Sequence, residues 1–170
     1  MKKIITLLLV FACFQSKSQV VISQVYGGGG NSGATYTNDF IELFNRGAAP
    51  VSLNGWSVQY NSATGTGTWQ VTILTNVMLQ PGQYYLVQEA MGAGGTTPLP
   101  TPDVTGTIAM SATAGKVALV NNTTALSGCP VGLVDLVGFG ATANCFEGTG
   151  PTTAPSNTLA ILRAAKGCTD

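Results

Sequence analysis

The 170-residue sequence contains no histidine, and this absence excludes several kinds of active site. A Ser-His-Asp triad, a Cys-His dyad, a His-ligated zinc site and histidine general-base catalysis all need an imidazole. Charge is also scarce, because Asp, Glu, Lys and Arg make up 8% of the chain, against about 25% in a typical soluble domain. Such residues normally fill the exposed helix faces of cytosolic proteins, so the composition indicates a secreted all-β protein instead.

The N-terminus carries the features of a secretory signal peptide. Lys2 and Lys3 form a positively charged start, and an uncharged, mostly apolar run extends from Ile4 to Phe14. This run is too short to span a bilayer as a helix, which takes about 20 residues. No later apolar run approaches that length. Residues 1–18 are therefore predicted to be a signal peptide, and residues 19–170 a single secreted domain.

The expected cleavage point lies between Ser18 and Gln19. A lipoprotein anchor through Cys13 is the alternative, but Phe11 stands where such a signal usually has a smaller residue. Removing residues 1–18 leaves four basic side chains against seven acidic ones, a net charge of −3. Four scattered cations are too few for the basic surface that nucleic-acid binding normally needs, so no nucleic-acid partner is expected for this domain.

Three cysteines remain after signal removal, and all lie near the C-terminus: Cys129, Cys145 and Cys168. In an oxidising compartment two of them are expected to pair. A hairpin of residues 133–139 with 158–163 would bring Cys129 to Cys168, whereas a last segment docked elsewhere would allow Cys145 to pair with Cys168. The sequence favours a bridge that includes Cys168 and leaves its partner open. Without a histidine to activate a thiol, no cysteine is expected to be a nucleophile.

The rest of the chain has the pattern of short strands separated by Gly, Pro, Asn and Ser. Apolar and polar residues alternate from Trp56 to Tyr60, and residues 80–83 (QPGQ) have the pattern of a type II turn. The predicted strands are 20–26, 39–45, 51–53, 56–60, 68–74, 83–89, 106–110, 116–121, 133–139 and 158–163. Short strands at this spacing, without helices between them, indicate an antiparallel β-sandwich or barrel.

Several of these segments, in the same order, resemble the lamin tail domain family. Residues 39–45 (DFIELFN), 51–58 (VSLNGWSV) and 79–87 (LQPGQYYLV) carry the likeness, and 115–121 (GKVALVN) and 134–140 (VDLVGFG) continue it. The resemblance implies an immunoglobulin-like β-sandwich. It brings no catalytic residues with it, so the expected role is that of a non-catalytic module that interacts with a protein or a surface.

The opening residues 21–31 (VISQVYGGGGN) are similar to the secreted bacterial branch of that family. Members of this branch often stand at the N-terminus of extracellular proteins, and some carry an endonuclease/exonuclease/phosphatase-type domain downstream. Similar sequences also run on past the position of Asp170. The resemblance therefore implies a piece of a longer secreted protein, either the accessory module of a nuclease or phosphatase or a cell-surface adhesion module.

A glycine-rich stretch, residues 28–33, formally fits the G-x-G-x-x-G pattern of a dinucleotide site. Such a site needs a helix that opens at the third glycine and points its N–H groups at the pyrophosphate. Residues 34–38 lead into a predicted strand instead. The stretch is therefore interpreted as a flexible loop, and no cofactor is expected.

Two carboxylates stand close together in sequence, Asp39 and Glu42. Positions three apart on a strand point to opposite faces, so the two are not expected to share a substrate. Glu42 is predicted to face solvent together with Phe40 and Phe44, and to pair with Arg46 at the surface. This structural interpretation is favoured over acid/base catalysis.

The other carboxylates are isolated in sequence, so no metal site is expected. Asp103, Asp135 and Glu147 lie in separate segments, and Asp170 lacks further ligands around it. Calcium takes six to eight oxygen ligands, usually with several carboxylates converging. No spacing among these residues indicates such convergence.

Trp69 is the candidate for an exposed contact residue. It lies in a predicted strand beside a polar Gly/Thr loop. An exposed aromatic ring there would anchor a glycan, a peptide or a neighbouring domain. Packing in the core is the alternative, and the more common fate of a tryptophan in a strand.

Overall fold

The computed structural model describes residues 18–164, and every element assigned in that range is a β-strand. In chain order the strands are β1 (Val20–Tyr26), β2 (Asn38–Asn45), β3 (Val51–Ser52), β4 (Ser57–Ser62), β5 (Gln70–Ile73), β6 (Met78–Leu79), β7 (Tyr84–Met91), β8 (Val104–Thr105), β9 (Gly115–Val120), β10 (Asp135–Phe139) and β11 (Ile161–Leu162). The all-β prediction is confirmed. Over the same residues, no helix has the length and apolar character that crossing a membrane requires.

Two sheets pack against each other as an immunoglobulin-like sandwich. The first sheet has five strands in the order β11-β1-β2-β7-β8, and the second has four in the order β10-β9-β4-β5. The strands β3 and β6 form a separate two-stranded ribbon. Neighbouring strands are antiparallel except β7 and β8, which run parallel.

The core forms because apolar residues alternate along the central strands of both sheets. Ile41 and Leu43 point inward from β2, Val58 from β4, and Val117 and Leu119 from β9, and each is fully buried. A strand places every second side chain on the same face, so these residues meet between the sheets. Burying one such side chain stabilises the fold by about 1.5–3 kcal/mol.

One turn fixes the register of β7. Gly82 has a φ of +77°, and the N–H of Gln83 donates to the carbonyl of Gln80 over 3.0 Å. A type II turn needs a positive φ at its third residue, which glycine adopts without steric cost. The predicted turn is therefore present.

The prediction of a strand at residues 106–110 was wrong, because no strand is assigned there. Two carboxylates bind the main chain of this segment instead. The N–H of Ile108 donates to Glu89 over 2.9 Å, and the N–H of Met110 donates to Asp39 over 2.8 Å. These groups are therefore not available for a regular ladder. The short strand β6 was not predicted from the sequence.

The last strand does not form the hairpin that the sequence analysis considered. β11 pairs with β1, with Gln24 opposite Leu162 and Val25 opposite Ile161. β10 pairs with β9 in the other sheet. Of the two alternatives for the last segment, the one in which it docks elsewhere is therefore correct, because the two segments belong to different sheets.

Candidate functional site

A cleft of about 480 Å³ opens where β1, β10 and β11 come together at one edge of the sandwich. Val25, Val137, Ile161 and Leu162 contribute apolar wall, and the loop 147–152 borders it. The cleft exists here because β10 and β11 are the edge strands of different sheets, so no strand fills the space between them.

An arginine organises the charged side of the cleft. Arg163 Nη2 lies 3.1 Å from Asp135 Oδ1 and 3.6 Å from Glu147 Oε2. The other oxygen of Asp135 accepts the N–H of Ile22 over 2.6 Å. The Asp135 side chain is 2% exposed and that of Glu147 is 52% exposed, so Glu147 presents its carboxylate at the mouth.

In the sequence Asp135 and Glu147 are isolated carboxylates, and no pattern gives Arg163 a role. The structure brings all three side chains together, although Asp135 and Arg163 are 28 positions apart in sequence. β10 and β11 meet only through the packing of the two sheets. No local spacing signals this contact, so it was not detectable from one sequence.

A second group of carboxylates lies between the sheets, away from the cleft. Asp39 accepts N–H groups from Gly29 and Met110, each over 2.8 Å, and Glu89 accepts the N–H of Ile108. Burial raises the pKa of Asp39 from 3.8 to about 6, although the two N–H donors act against the shift. Burial also raises the pKa of Glu89, and the nearby charge of Asp39 raises it further. These carboxylates hold backbone segments in place.

Asp39 and Glu42 occupy different environments, and they do not form a paired site. Asp39 is buried between the sheets, while Glu42 is half-buried and accepts a hydrogen bond from the Ser23 hydroxyl over 2.6 Å. Arg46 Nε donates to the carbonyl of Ser18 over 2.7 Å. A pairing of Arg46 with Glu42 stays a prediction.

Phe40 and Phe44 are not exposed to solvent, and that part of the prediction was wrong. Their exposed fractions are 6% and 7%. The ring of Phe40 stacks on that of Tyr26 with 5.3 Å between the ring centroids. The ring centroids of Phe44 and Tyr84 are 4.6 Å apart. Neighbouring strands therefore cover these rings with other aromatic rings on the outer face of the five-stranded sheet.

Trp69 is 2% exposed, so of the two alternatives for this residue the exposed contact is wrong and burial is right. Its indole Nε1 donates to the carbonyl of Gly128 over 3.1 Å, and the Lys116 ammonium lies 5.3 Å from its ring centroid. Lys116 Nζ also donates to the Gly65 carbonyl and to Asn144 Oδ1, each over 2.7 Å. A loop distant in sequence covers the ring.

A disulfide joins Cys129 to Cys145, with 5.5 Å between their Cα atoms. The prediction of a bridge near the C-terminus is confirmed, but the preference for one that includes Cys168 was wrong. Cys129 and Cys145 are paired with each other, so neither is available to Cys168. Cys168 and Cys13 lie outside the described residues. The bond suggests an oxidising environment.

The first half of the glycine-rich stretch, residues 28–30, is packed tightly, contrary to the flexible loop that was predicted, whereas residues 31–33 are exposed. A Cβ on Gly29 would lie 1.9 Å from the carbonyl carbon of Asn38, so only glycine fits there. Gly30 has a φ of +67°, and its N–H donates to the Tyr36 carbonyl over 2.9 Å. A strand follows this loop.

Within residues 18–164, no three His, Cys, Asp or Glu side chains come close enough to hold a metal ion. Asp103 accepts the N–H of Leu86 over 2.7 Å and so belongs to the link between β7 and β8. Asp170 lies outside the described residues. That the chain needs no metal or cofactor stays a prediction.

Comparison with known proteins identifies a family and a similar solved structure. Residues 14–141 match the Lamin Tail Domain family, and no curated protein matches the chain. Among solved structures, a DUF4876 family protein from Bacteroides thetaiotaomicron is similar, with a TM-score of 0.51 and 12% identity. The match covers 75% of this chain and 56% of that one, so this chain spans little more than half of that protein. The family match covers most of the sequence, and the chain therefore belongs to the lamin tail domain family.

Proposed function

We propose that this chain is a secreted, non-catalytic module that binds a protein or a surface ligand through the cleft between β1, β10 and β11. The observation that carries the proposal is the chemistry of the cleft. Its walls are largely apolar, and the carboxylate that lines it, Glu147, is engaged by Arg163, which also pairs with the buried Asp135 behind the wall. Such a site offers apolar contact and fixed charge for binding. The sequence contains no histidine that could act there as a general base.

Secretion is supported by two independent features. The N-terminal sequence has the pattern of a signal peptide. The bond between Cys129 and Cys145 is of a kind that persists in oxidising compartments. Fractionation of cells that express the full chain tests this part, because the processed chain should appear in the medium or at the cell surface.

The binding role is tested by a matched pair of leucine variants. Leu162 lines the cleft and is 69% exposed, whereas Leu159 is 65% exposed and does not line it. Binding of the fluorescently labelled chain to cells of the source organism is the measurement. Leu162→Lys should weaken binding about tenfold or more, and Leu159→Lys should leave it unchanged. Equal loss in both variants would contradict a role for the cleft.

A second proposal is that the chain serves as one module of a longer extracellular protein. The chain spans only part of the similar DUF4876 structure, which supports this idea. The attached part would be a catalytic domain of the nuclease or phosphatase type, or an adhesion segment. The isolated chain should then hydrolyse neither DNA nor phosphate esters, with or without divalent metal. Metal-dependent cleavage by the purified chain would overturn the non-catalytic assignment.

A further inference from the structure

The loop between β9 and β10 folds back over the outer face of the four-stranded sheet. Ser57 and Gln59 of β4 point to this face, because the alternate residues Val58 and Tyr60 point into the core. Both polar residues are nevertheless 0% exposed. The first half of the loop, residues 122–128, covers them and is here named the strap.

Side chains of the sheet make hydrogen bonds to the main chain of the strap. The Ser57 hydroxyl donates to the carbonyl of Asn122 over 2.7 Å. Gln59 makes two such bonds, because its Nε2 donates to the carbonyl of Thr124 over 2.9 Å and its Oε1 accepts the N–H of Leu126 over 2.8 Å. A single glutamine side chain thus satisfies a main-chain donor and a main-chain acceptor of the strap.

β5 and the residues before it continue the same pattern. The indole Nε1 of Trp69 donates to the carbonyl of Gly128, and the main-chain N–H of Trp69 donates to the carbonyl of Leu126 over 2.9 Å. The N–H of Gly128 donates to the carbonyl of Thr66 over 3.0 Å. The contacts thus reach residues 122, 124, 126 and 128, which are alternate positions of the strap.

The strap's own side chains contribute little to this contact. Thr123, Thr124, Ala125 and Ser127 are all exposed. The groove therefore recognises the shape and polarity of an extended main chain, in the way that strand addition obtains affinity from main-chain hydrogen bonds. A segment held by so few buried apolar contacts has low local stability unless something else fastens it.

The Cys129–Cys145 disulfide follows the strap directly and ties its end to the segment after β10. We propose that the groove formed by Ser57, Gln59 and Trp69 is a binding site for an extended peptide main chain, that the strap occupies it in the oxidised protein, and that the disulfide is the latch. A dithiol opens the latch by thiol–disulfide exchange. It supplies two electrons and two protons, becomes a disulfide itself, and leaves Cys129 and Cys145 as thiols. This site is separate from the cleft, so neither proposal depends on the other.

The first experiment asks whether the latch holds the strap. In the Cys129→Ser/Cys145→Ser variant, the amide proton of Leu126 should exchange about tenfold faster or more, while amides of β2 and β9 stay protected. The NMR signals of the Gln59 side-chain amide and the Trp69 indole N–H should shift. Unchanged exchange at Leu126 would overturn the latch.

The second experiment asks whether the open groove takes a peptide. The probe is the capped peptide Asn-Asn-Thr-Thr-Ala-Leu-Ser-Gly, which repeats residues 121–128, at millimolar concentration because the tethered strap competes at a similar effective concentration. Saturable return of the Gln59 and Trp69 signals toward their oxidised positions is expected. Absence of a saturable change would overturn the peptide site.

Matched variants separate recognition from general effects. In the cysteine-free background, Gln59→Leu keeps the side-chain size but removes both hydrogen bonds, so peptide binding should fall about tenfold or more. Gln70→Leu, at an exposed position of β5, should leave it unchanged. Where the serine variant does not fold, wild-type protein reduced with a dithiol gives the same readings. Loss of the sheet signals in both samples would show that the bond holds the whole sandwich, and that result contradicts a local latch.

Discussion

The molecule contains buried carboxylates in two places, and the two places differ in the groups that surround the carboxylate. At the cleft, Asp135 is paired with the guanidinium of Arg163. Between the sheets, the buried carboxylates Asp39 and Glu89 instead accept main-chain N–H groups of Gly29, Met110 and Ile108. In the second place, loss of hydration affects the carboxylate more than its hydrogen bonds do. The pKa of Asp39 therefore rises to about 6.

The difference teaches that equal burial of a carboxylate leads to two different structural roles. Asp135 joins two sheet edges through charge, since Arg163 follows β11 and Asp135 begins β10. Asp39 and Glu89 instead replace a strand ladder by accepting N–H groups from residues 108 and 110. The first group should respond most to loss of its cation, and the second most to pH.

The largest expected effect comes from breaking the ion pair. Arg163→Met removes the cation and leaves Asp135 buried with an unpaired charge, which should lower the free energy of unfolding by about 3–5 kcal/mol. Urea unfolding followed by circular dichroism measures this. Adding Asp135→Asn to the variant removes the charge and should restore part of the loss, whereas a single-variant loss below about 1 kcal/mol would contradict the buried pair.

The next effect is a pH dependence from Asp39. Its pKa is higher in the folded chain than the ordinary value of 3.8, so the folded state binds more protons between pH 3.8 and about 6. The contribution of this group is fully present below pH 3.8 and is lost as pH rises through about 6. The unfolding free energy of the wild type relative to Asp39→Asn should fall by about 2 kcal/mol from about pH 4 to about pH 7. Glu89 and Tyr60 face Asp39 and are the same in both proteins. A difference that rises with pH would refute this assignment.

A smaller effect is expected at Glu89. Glu89→Gln keeps an oxygen that can accept the N–H of Ile108 and removes a buried charge near Asp39. It should therefore raise the unfolding free energy at neutral pH by about 1 kcal/mol. It should also lower the midpoint of the Asp39 titration, which NMR of the carboxyl carbon measures. An unchanged midpoint would show that the two carboxylates do not interact.

The smallest effect is expected at an exposed carboxylate. Asp103 is exposed and accepts the N–H of Leu86. Asp103→Asn keeps an acceptor there, so the unfolding free energy should change by less than about 0.5 kcal/mol. This variant sets the baseline against which the buried groups are read, and a change above about 1 kcal/mol would weaken the comparison.

Local patterns made the strands and one turn predictable. The alternation from Trp56 to Tyr60 identified β4 within a residue or two, and the QPGQ pattern identified the turn at Gly82. These features depend on neighbouring residues only, because the period of a strand and the φ of a turn are local properties. The family motifs added the immunoglobulin-like sandwich, which the structure confirms.

The contacts that define the sites were not predictable in the same way. Trp69 stands beside a polar loop, so exposure and burial were both open, and its cover comes from residue 128, 59 positions along the chain. Arg163 meets Asp135 only because β11 joins the sheet of β1. Such contacts depend on which strands become neighbours, and one sequence carries no covarying partner that would reveal this.

The pairing of β11 with β1 also determines how this module would carry mechanical load in a longer chain. β1 begins at Val20, and the N–H of Arg163, just after β11, donates to the carbonyl of Ser23. The chain therefore enters and leaves at the same end of one sheet edge. Tension between the two flanks would open the short β1–β11 pairing one hydrogen bond at a time, in a zipper geometry, before it reached the central strands. In such a chain this edge of the sheet would therefore yield before the core between the two sheets.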